Sequence, residues 1–101
     1  MVINMYCQLH ESTDKRRKYI ISNESNKIIG YLVVEKYGDT WNIELMKIVS
    51  QYQRQGDGSI LLNYALDDLK GVTQMVSVCA VTKEGRNFFA KHGFVNGQKM
   101  I

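Results

Sequence analysis

A run of strand formers gives way to a helix-like run at "QYQRQGDGSILL", Gln51–Leu62, and the sequence's single Gly-x-Gly falls at that junction. Glycine removes the Cβ that keeps other groups away from a backbone amide. The first amides of a helix have no intrahelical partner, and the helix dipole adds partial positive charge there. Gly56 and Gly58 therefore suit an anion seated on a helix start. Arg54 supplies a charge for phosphate oxygens. Ser59 supplies a hydroxyl for the ligand or for the helix cap. The same residues also serve as a plain tight turn, and the motif alone does not separate the two readings. A Walker A loop is excluded, because no Gly-Lys-Ser/Thr follows. A dinucleotide fingerprint would need a third glycine and one preceding strand, not four.

Upstream, "VINMYCQL" (2–9) reads as a first strand and "HESTDKRRK" (10–18) as a loop. "KYIIS" (18–22) is a second strand, followed by the turn "NESNK". "IIGYLVVEKY" (28–37) and "WNIELMKIV" (41–49) are a third and a fourth strand around the turn "GDT". Such a series predicts an antiparallel meander. From Ser59 the pattern changes. Leu62, Ala65, Leu66 and Leu69 mark one face of an amphipathic helix that Gly71 ends. "QMVSVCAV" (74–81) returns to strand. A second helix starts at Thr82 or Lys83 and stops at Gly93, and "FVNGQKMI" is a last strand or tail. The order is β-β-β-β-α-β-α-β. The fourth and fifth strands, joined through a helix, should be parallel neighbours in a mixed α/β sheet.

A length of 101 residues implies one domain, residues 1–101. A net charge of +3 suits an anionic ligand but is too small to argue for nucleic acid. No apolar stretch is long enough to span a membrane. The opening "MVINMYCQLHE" lacks the basic leader and apolar core of a signal peptide. Cys7 and Cys79 form no metal spacing and no disulfide framework. The expectation is a cytoplasmic protein without a bound metal.

With these elements in place, the chain resembles the GNAT superfamily of N-acyltransferases. The match to [Q/R]-x-x-G-x-[G/A] after the fourth strand is Gln53, Arg54, Gln55, Gly56, Asp57, Gly58. The aromatic helix ending "-K-x-G-F" corresponds to "FFAKHGF", Phe88–Phe94. The resemblance implies a GNAT-like fold and the cofactor acetyl-CoA or coenzyme A. Gln55 to Ser59 would hold its pyrophosphate, and Gln53 and Arg54 of the motif also count as cofactor-binding. Ile48, Val49 and Ser50 would pair with the pantetheine arm, in a slot where strands four and five splay apart. It implies direct attack of a primary amine on the thioester, helped by positioning. A protein lysine or an N-terminus is among the acceptors it allows.

Several positions depart from the family. Its acid tyrosine is Phe89 here, a ring that packs and donates no proton. Its pantetheine asparagine is Thr82, which still hydrogen-bonds. Asp57 replaces an apolar or aromatic residue; it reads either as an outward-facing residue at the helix end or as a loss of coenzyme affinity. For the base that removes the ammonium proton, Glu44 is the first candidate, placed by alternation on the face of Met46, and Glu35 the second. His92 reads as a helix C-terminal cation and Cys79 as a buried thiol. The basic run Lys15–Lys18 reads as a solvated turn or a site for an acidic partner. The family's helices between strands one and two are mostly missing. An open acceptor side and an exposed sheet edge follow, which favour a macromolecular amine or a homodimer. The alternative function is a weak or inactive GNAT-fold module that binds acyl-CoA or a protein partner.

Overall fold

The computed structural model describes residues 5–53 and 56–101. Four strands follow in succession: β1 (Tyr6–Ser12), β2 (Arg16–Ser22), β3 (Ile28–Tyr37) and β4 (Thr40–Ile48). A 3-10 turn at Ser50–Tyr52 leads into α1 (Asp57–Leu69), β5 (Met75–Val78), α2 (Lys83–Lys91) and β6 (Gln98–Met100). The element order is the one read from the sequence. The strands lie side by side in chain order. All neighbours are antiparallel except β4 and β5, whose helical crossover makes them parallel.

The predicted stripe of α1, Leu62, Ala65, Leu66 and Leu69, is buried, with Leu61 beside it. It packs in one cluster with Tyr19, Ile21, Leu32, Val34, Trp41 and Ile43 of the sheet. Near the C-terminal end of α1, Asp68 Oδ2 accepts from Arg17 Nη1 at 2.6 Å and from the Tyr19 hydroxyl at 2.7 Å. Burial, then that bond to Asp68, push the Tyr19 pKa up, so its hydroxyl stays a donor. Phe89 and Phe94 join the same cluster, and Ser59 of α1 is hydrogen-bonded to His92 at the end of α2. Both helices thus cover one face of the sheet. Among the described residues no helix covers the other. None of their helices is long and apolar enough to cross a membrane.

Three boundaries differ from the sequence reading. "HESTDKRRK" is not a loop: β1 runs to Ser12 and β2 begins at Arg16. Its polar residues signal exposure on an edge strand, not irregular backbone. Within the basic run, Arg16 pairs with Glu35 at 2.9 Å and Arg17 with Asp68 at 2.6 Å, so half of it is not a solvated turn. α1 begins at Asp57, two residues before Ser59, because Gly56 takes the N-cap position. β5 stops at Val78, since Thr82 already caps α2, its hydroxyl accepting from the Gly85 amide. The residues between carry the chain off the sheet.

Gly30 shows how closely β3 and β4 meet. A Cβ there would press on Ile48 Cδ1 and come within 2.8 Å of the Lys47 carbonyl oxygen. Gly30→Ala should destabilise the protein by about 1–3 kcal/mol in urea unfolding. An unchanged midpoint would contradict that packing.

Candidate functional site

β4 and β5 are joined by only three residue pairs: Trp41 with Val76, Asn42 with Ser77, Ile43 with Val78. Beyond Ile43, β4 runs on to Ile48 with no β5 partner. The two strands form a fork whose crotch lies at Glu44. A bulge marks the same place. Val34 pairs with Ile43 and Val33 with Leu45, so Glu44 is the extra residue of β4. The bulge resets the alternation and corrects the sequence reading of Glu44. Met46 pairs with Leu32 on the helix-covered face. Glu44 instead lies near the Tyr37 hydroxyl on the open face, where it helps to raise that group's pKa.

At the open end of the fork stands the start of α1. Gly56 has φ +87°, a left-handed backbone that a side chain would strain. The first intrahelical bond is from Ile60 N to Gly56 O at 3.1 Å. The amides of Asp57, Gly58 and Ser59 therefore have no intrahelical partner. Gly58 packs against Met46 and Phe88, where a Cβ would meet both at 3.5 Å. The cradle thus rests on β4 and on α2. Gln53 donates from Nε2 to the Ile48 carbonyl at 2.8 Å, occupying one backbone group of the fork. Arg54 and Gln55 lie outside the described residues.

Comparisons with known proteins bear on this geometry. The family model described as "Acetyltransferase (GNAT) domain" matches residues 14–96. The chain belongs to the GNAT acetyltransferase family. A search of curated proteins gave no match. Among solved structures, a GNAT family acetyltransferase from Elizabethkingia anophelis with acetyl-CoA bound aligns at TM-score 0.78 and 18% identity, over 91% of this chain and 76% of that one. A candidate streptothricin acetyltransferase from Bacillus anthracis, in complex with acetyl coenzyme A, aligns at 0.73 and 24%, over 82% and 50%. The ribosomal-protein-S18-alanine N-acetyltransferase of Escherichia coli aligns at 0.69 and 18%, over 83% and 56%. This chain thus spans about half the length of the last two. The likeness shows the GNAT fold.

Within that fold the candidate residues fall into two groups. Ile48, Val49, Ser50, Gln53 and Gly56 to Ser59 line the run from the end of β4 into α1. Thr82 is across the fork, engaged as the α2 cap. Glu44 and Glu35 share the open face with Tyr37, a residue the sequence reading missed. Tyr37 donates to Glu35 Oε2 at 2.9 Å, and Arg16 holds Glu35 Oε1 at 2.9 Å. Hydrogen bonding to Glu35, then to Glu44, pushes the Tyr37 pKa up to about 12, so it stays a donor at neutral pH. The i, i+2 spacing of Glu35 and Tyr37 on one strand was the available signal. A groove of about 670 Å³ beside them is lined by Asp14, Lys15, Arg16, Glu35, Lys36 and Tyr37. Another cavity, of about 380 Å³, lies against α2 and the end of β5 and has no β4 residue in its lining, so it is not the fork.

Three further expectations are corrected. Cys79 is exposed, because β5 has already ended. His92 is not a helix-terminal cation: burial, then Lys91 and Lys99, push its pKa down, and its ring is hydrogen-bonded to Ser59. Asp57 does not face outward. It is 4% exposed, and its Oδ2 has no hydrogen-bond partner among the described residues. Its charge is felt at Cys7, whose thiol is pushed up by burial first and by Asp57 second. Phe89, as expected, is packed: it lies edge-on between Phe88 and Phe94.

Burial pushes the Asp57 carboxyl pKa up. A raised folded-state value favours the fold below the unfolded value, about 3.9, and that advantage is lost as pH rises through the folded value. At neutral pH the buried, unpartnered carboxylate is therefore a cost. Asp57→Asn should raise stability there by about 1 kcal/mol, and the gain should vanish near about pH 4. Melting curves across pH test this; a loss of stability at neutral pH would contradict it.

Proposed function

We propose that this GNAT domain, residues 1–101 as one unit, is an acyl-CoA-dependent N-acetyltransferase acting on a primary amine. One observation carries the reading: three amides of a helix start that no intrahelical bond uses stand at the open end of a fork whose crotch holds Glu44. A pyrophosphate on Gly56–Ser59, with Gln53, Arg54 and Gln55 beside it, leaves the pantetheine arm to run along Ile48, Val49 and Ser50. Ile48 lies four residue steps beyond Glu44, about 13 Å at the usual strand rise. An arm laid along β4 thus delivers the thioester to the crotch.

The acceptor enters from the helix-free face. Glu44 takes the proton of the arriving ammonium, directly or through water, and Glu35 is the second candidate for that role. The free amine attacks the thioester carbonyl, and unpaired backbone groups of β4 stabilise the developing oxyanion. The C–N bond forms, the nitrogen loses its second proton to solvent, the C–S bond breaks, and coenzyme A leaves as a thiolate. Phe89 offers it no proton. A thiolate with a pKa near that of cysteine leaves without one, at a reduced rate. The open face suits a macromolecular amine such as a protein lysine or an N-terminus. β1 is an edge strand, and pairing there would give a homodimer. We place the protein in the cytoplasm.

The second reading, a module that binds acyl-CoA or a partner without turnover, is favoured by the packed Phe89 and by the charge of Asp57 beside the cradle. Coenzyme binding and turnover separate the two. Coenzyme A or acetyl-CoA at about a hundred times its dissociation constant should stabilise the fold by about 2.7 kcal/mol in a thermal melt. No shift at millimolar ligand would remove the enzyme and the acyl-CoA module and leave only a module that binds a partner. A shift without acetylation of any amine in a panel would favour the module. In an active protein, Glu44→Gln should lower kcat/KM for the amine about 100-fold and leave the KM for acetyl-CoA unchanged. Full activity would take Glu44 out of the mechanism.

A further inference from the structure

Ser59, in the first turn of α1, and His92, at the end of α2, are joined by a 2.8 Å contact between Oγ and Nε2. The imidazole is packed against the Phe88 ring at 4.8 Å between centroids. Its own carbonyl accepts from Lys99 Nζ at 2.6 Å. The charged groups that bear on it are Lys91 of α2 and Lys99 of β6. The acidic residue in the first turn of α1, Asp57, acts on Cys7 instead. His92 thus sits one hydrogen bond from Ser59, whose amide no intrahelical bond uses, and the ammonium groups of Lys91 and Lys99 disfavour its charge.

An anion on those amides reverses the balance. Negative charge within a few ångströms favours imidazolium over imidazole. A fully protonated imidazole can only donate through Nε2. Ser59 Oγ then becomes the acceptor of that bond, and its own hydrogen is released to the anion. We infer that His92 is the proton-linked residue of the coenzyme site: a pyrophosphate seated on α1 draws one proton from solvent onto His92, which turns the Ser59 hydroxyl toward the ligand. The inference rests on reading Gly56–Ser59 as the pyrophosphate cradle. No covalent bond changes, and the proton returns to solvent when the coenzyme leaves.

A group that gains a proton on binding makes affinity pH-dependent. The dissociation constant is flat above the bound-state pKa, tightens as pH falls, and is flat again below the free-state pKa. The probe is dephospho-coenzyme A, because the 3′-phosphate of coenzyme A itself titrates near about pH 6. Calorimetry in buffers of different ionisation enthalpy reads both affinity and proton uptake. From about pH 8.5 to about pH 5.5 the wild-type dissociation constant should tighten about threefold or more, with net proton uptake. His92→Gln, whose amide still reaches Ser59 but cannot charge, should bind with a clearly shallower slope, what is left coming from the Asp57 carboxyl in the same turn. The unmodified protein gives an independent reading. The His92 ring resonances should titrate at higher pH with dephospho-coenzyme A than without. Equal slopes in both proteins, or an unmoved His92 midpoint, would overturn the inference and leave the cradle standing. No binding of dephospho-coenzyme A or coenzyme A at any pH would overturn the cradle reading, and the inference with it.

Discussion

Three residue pairs between β4 and β5 govern the architecture of the site. Pairing ends at Ile43 and Val78, and everything of functional interest lies just past that point. If β5 stayed paired along β4, the backbone groups of Glu44 to Ile48 would be satisfied within the sheet. Instead, apart from those paired with β3 and the Ile48 carbonyl held by Gln53, they have no strand partner among the described residues. The bulge at Glu44 falls at the same place and puts the carboxylate on the face opposite Met46. The short crossover from β4 then brings the start of α1 to the mouth of the fork. Fork, bulge and helix start make one structural unit.

The two helices fix that unit from the other side. Gly58 packs on Met46 and Phe88, and Ser59 meets His92, so the cradle is braced by α2. The aromatic cluster of Phe88, Phe89 and Phe94 fills the space where a family tyrosine would present a hydroxyl. Packing has been kept there and the proton donor has not. The hydroxyl that the fold does place near a carboxylate pair is that of Tyr37, on the open face.

Much of this was legible in the sequence. Element order, the buried stripe of α1 and the glycine-rich helix start follow from local patterns whose period matches the element. The family resemblance rested on two such patches, and the family match and the fold agree with it. What stayed hidden depended on contacts between distant segments. The side of Glu44 could not be read, because one bulge residue inverts a period-2 pattern. Asp57 looked like an ordinary first-turn acid, since its burial depends on how α1 lies under β1. Polar "HESTDKRRK" hid a hairpin, because Arg16 and Arg17 find partners nineteen and fifty-one residues away. The tie between Ser59 and His92, thirty-three residues apart, has no local trace.

The central claim is that the amides at the start of α1, which no intrahelical bond uses, hold the coenzyme. Amide chemical shifts recorded during a coenzyme A titration test it residue by residue. The account predicts the largest, saturable changes at Asp57, Gly58 and Ser59, smaller ones along Ile48–Ser50, and none on the exposed residues of β1. Saturable changes confined to the cavity between α2 and the end of β5, or to the groove beside Tyr37, with the α1 amides unmoved, would contradict it.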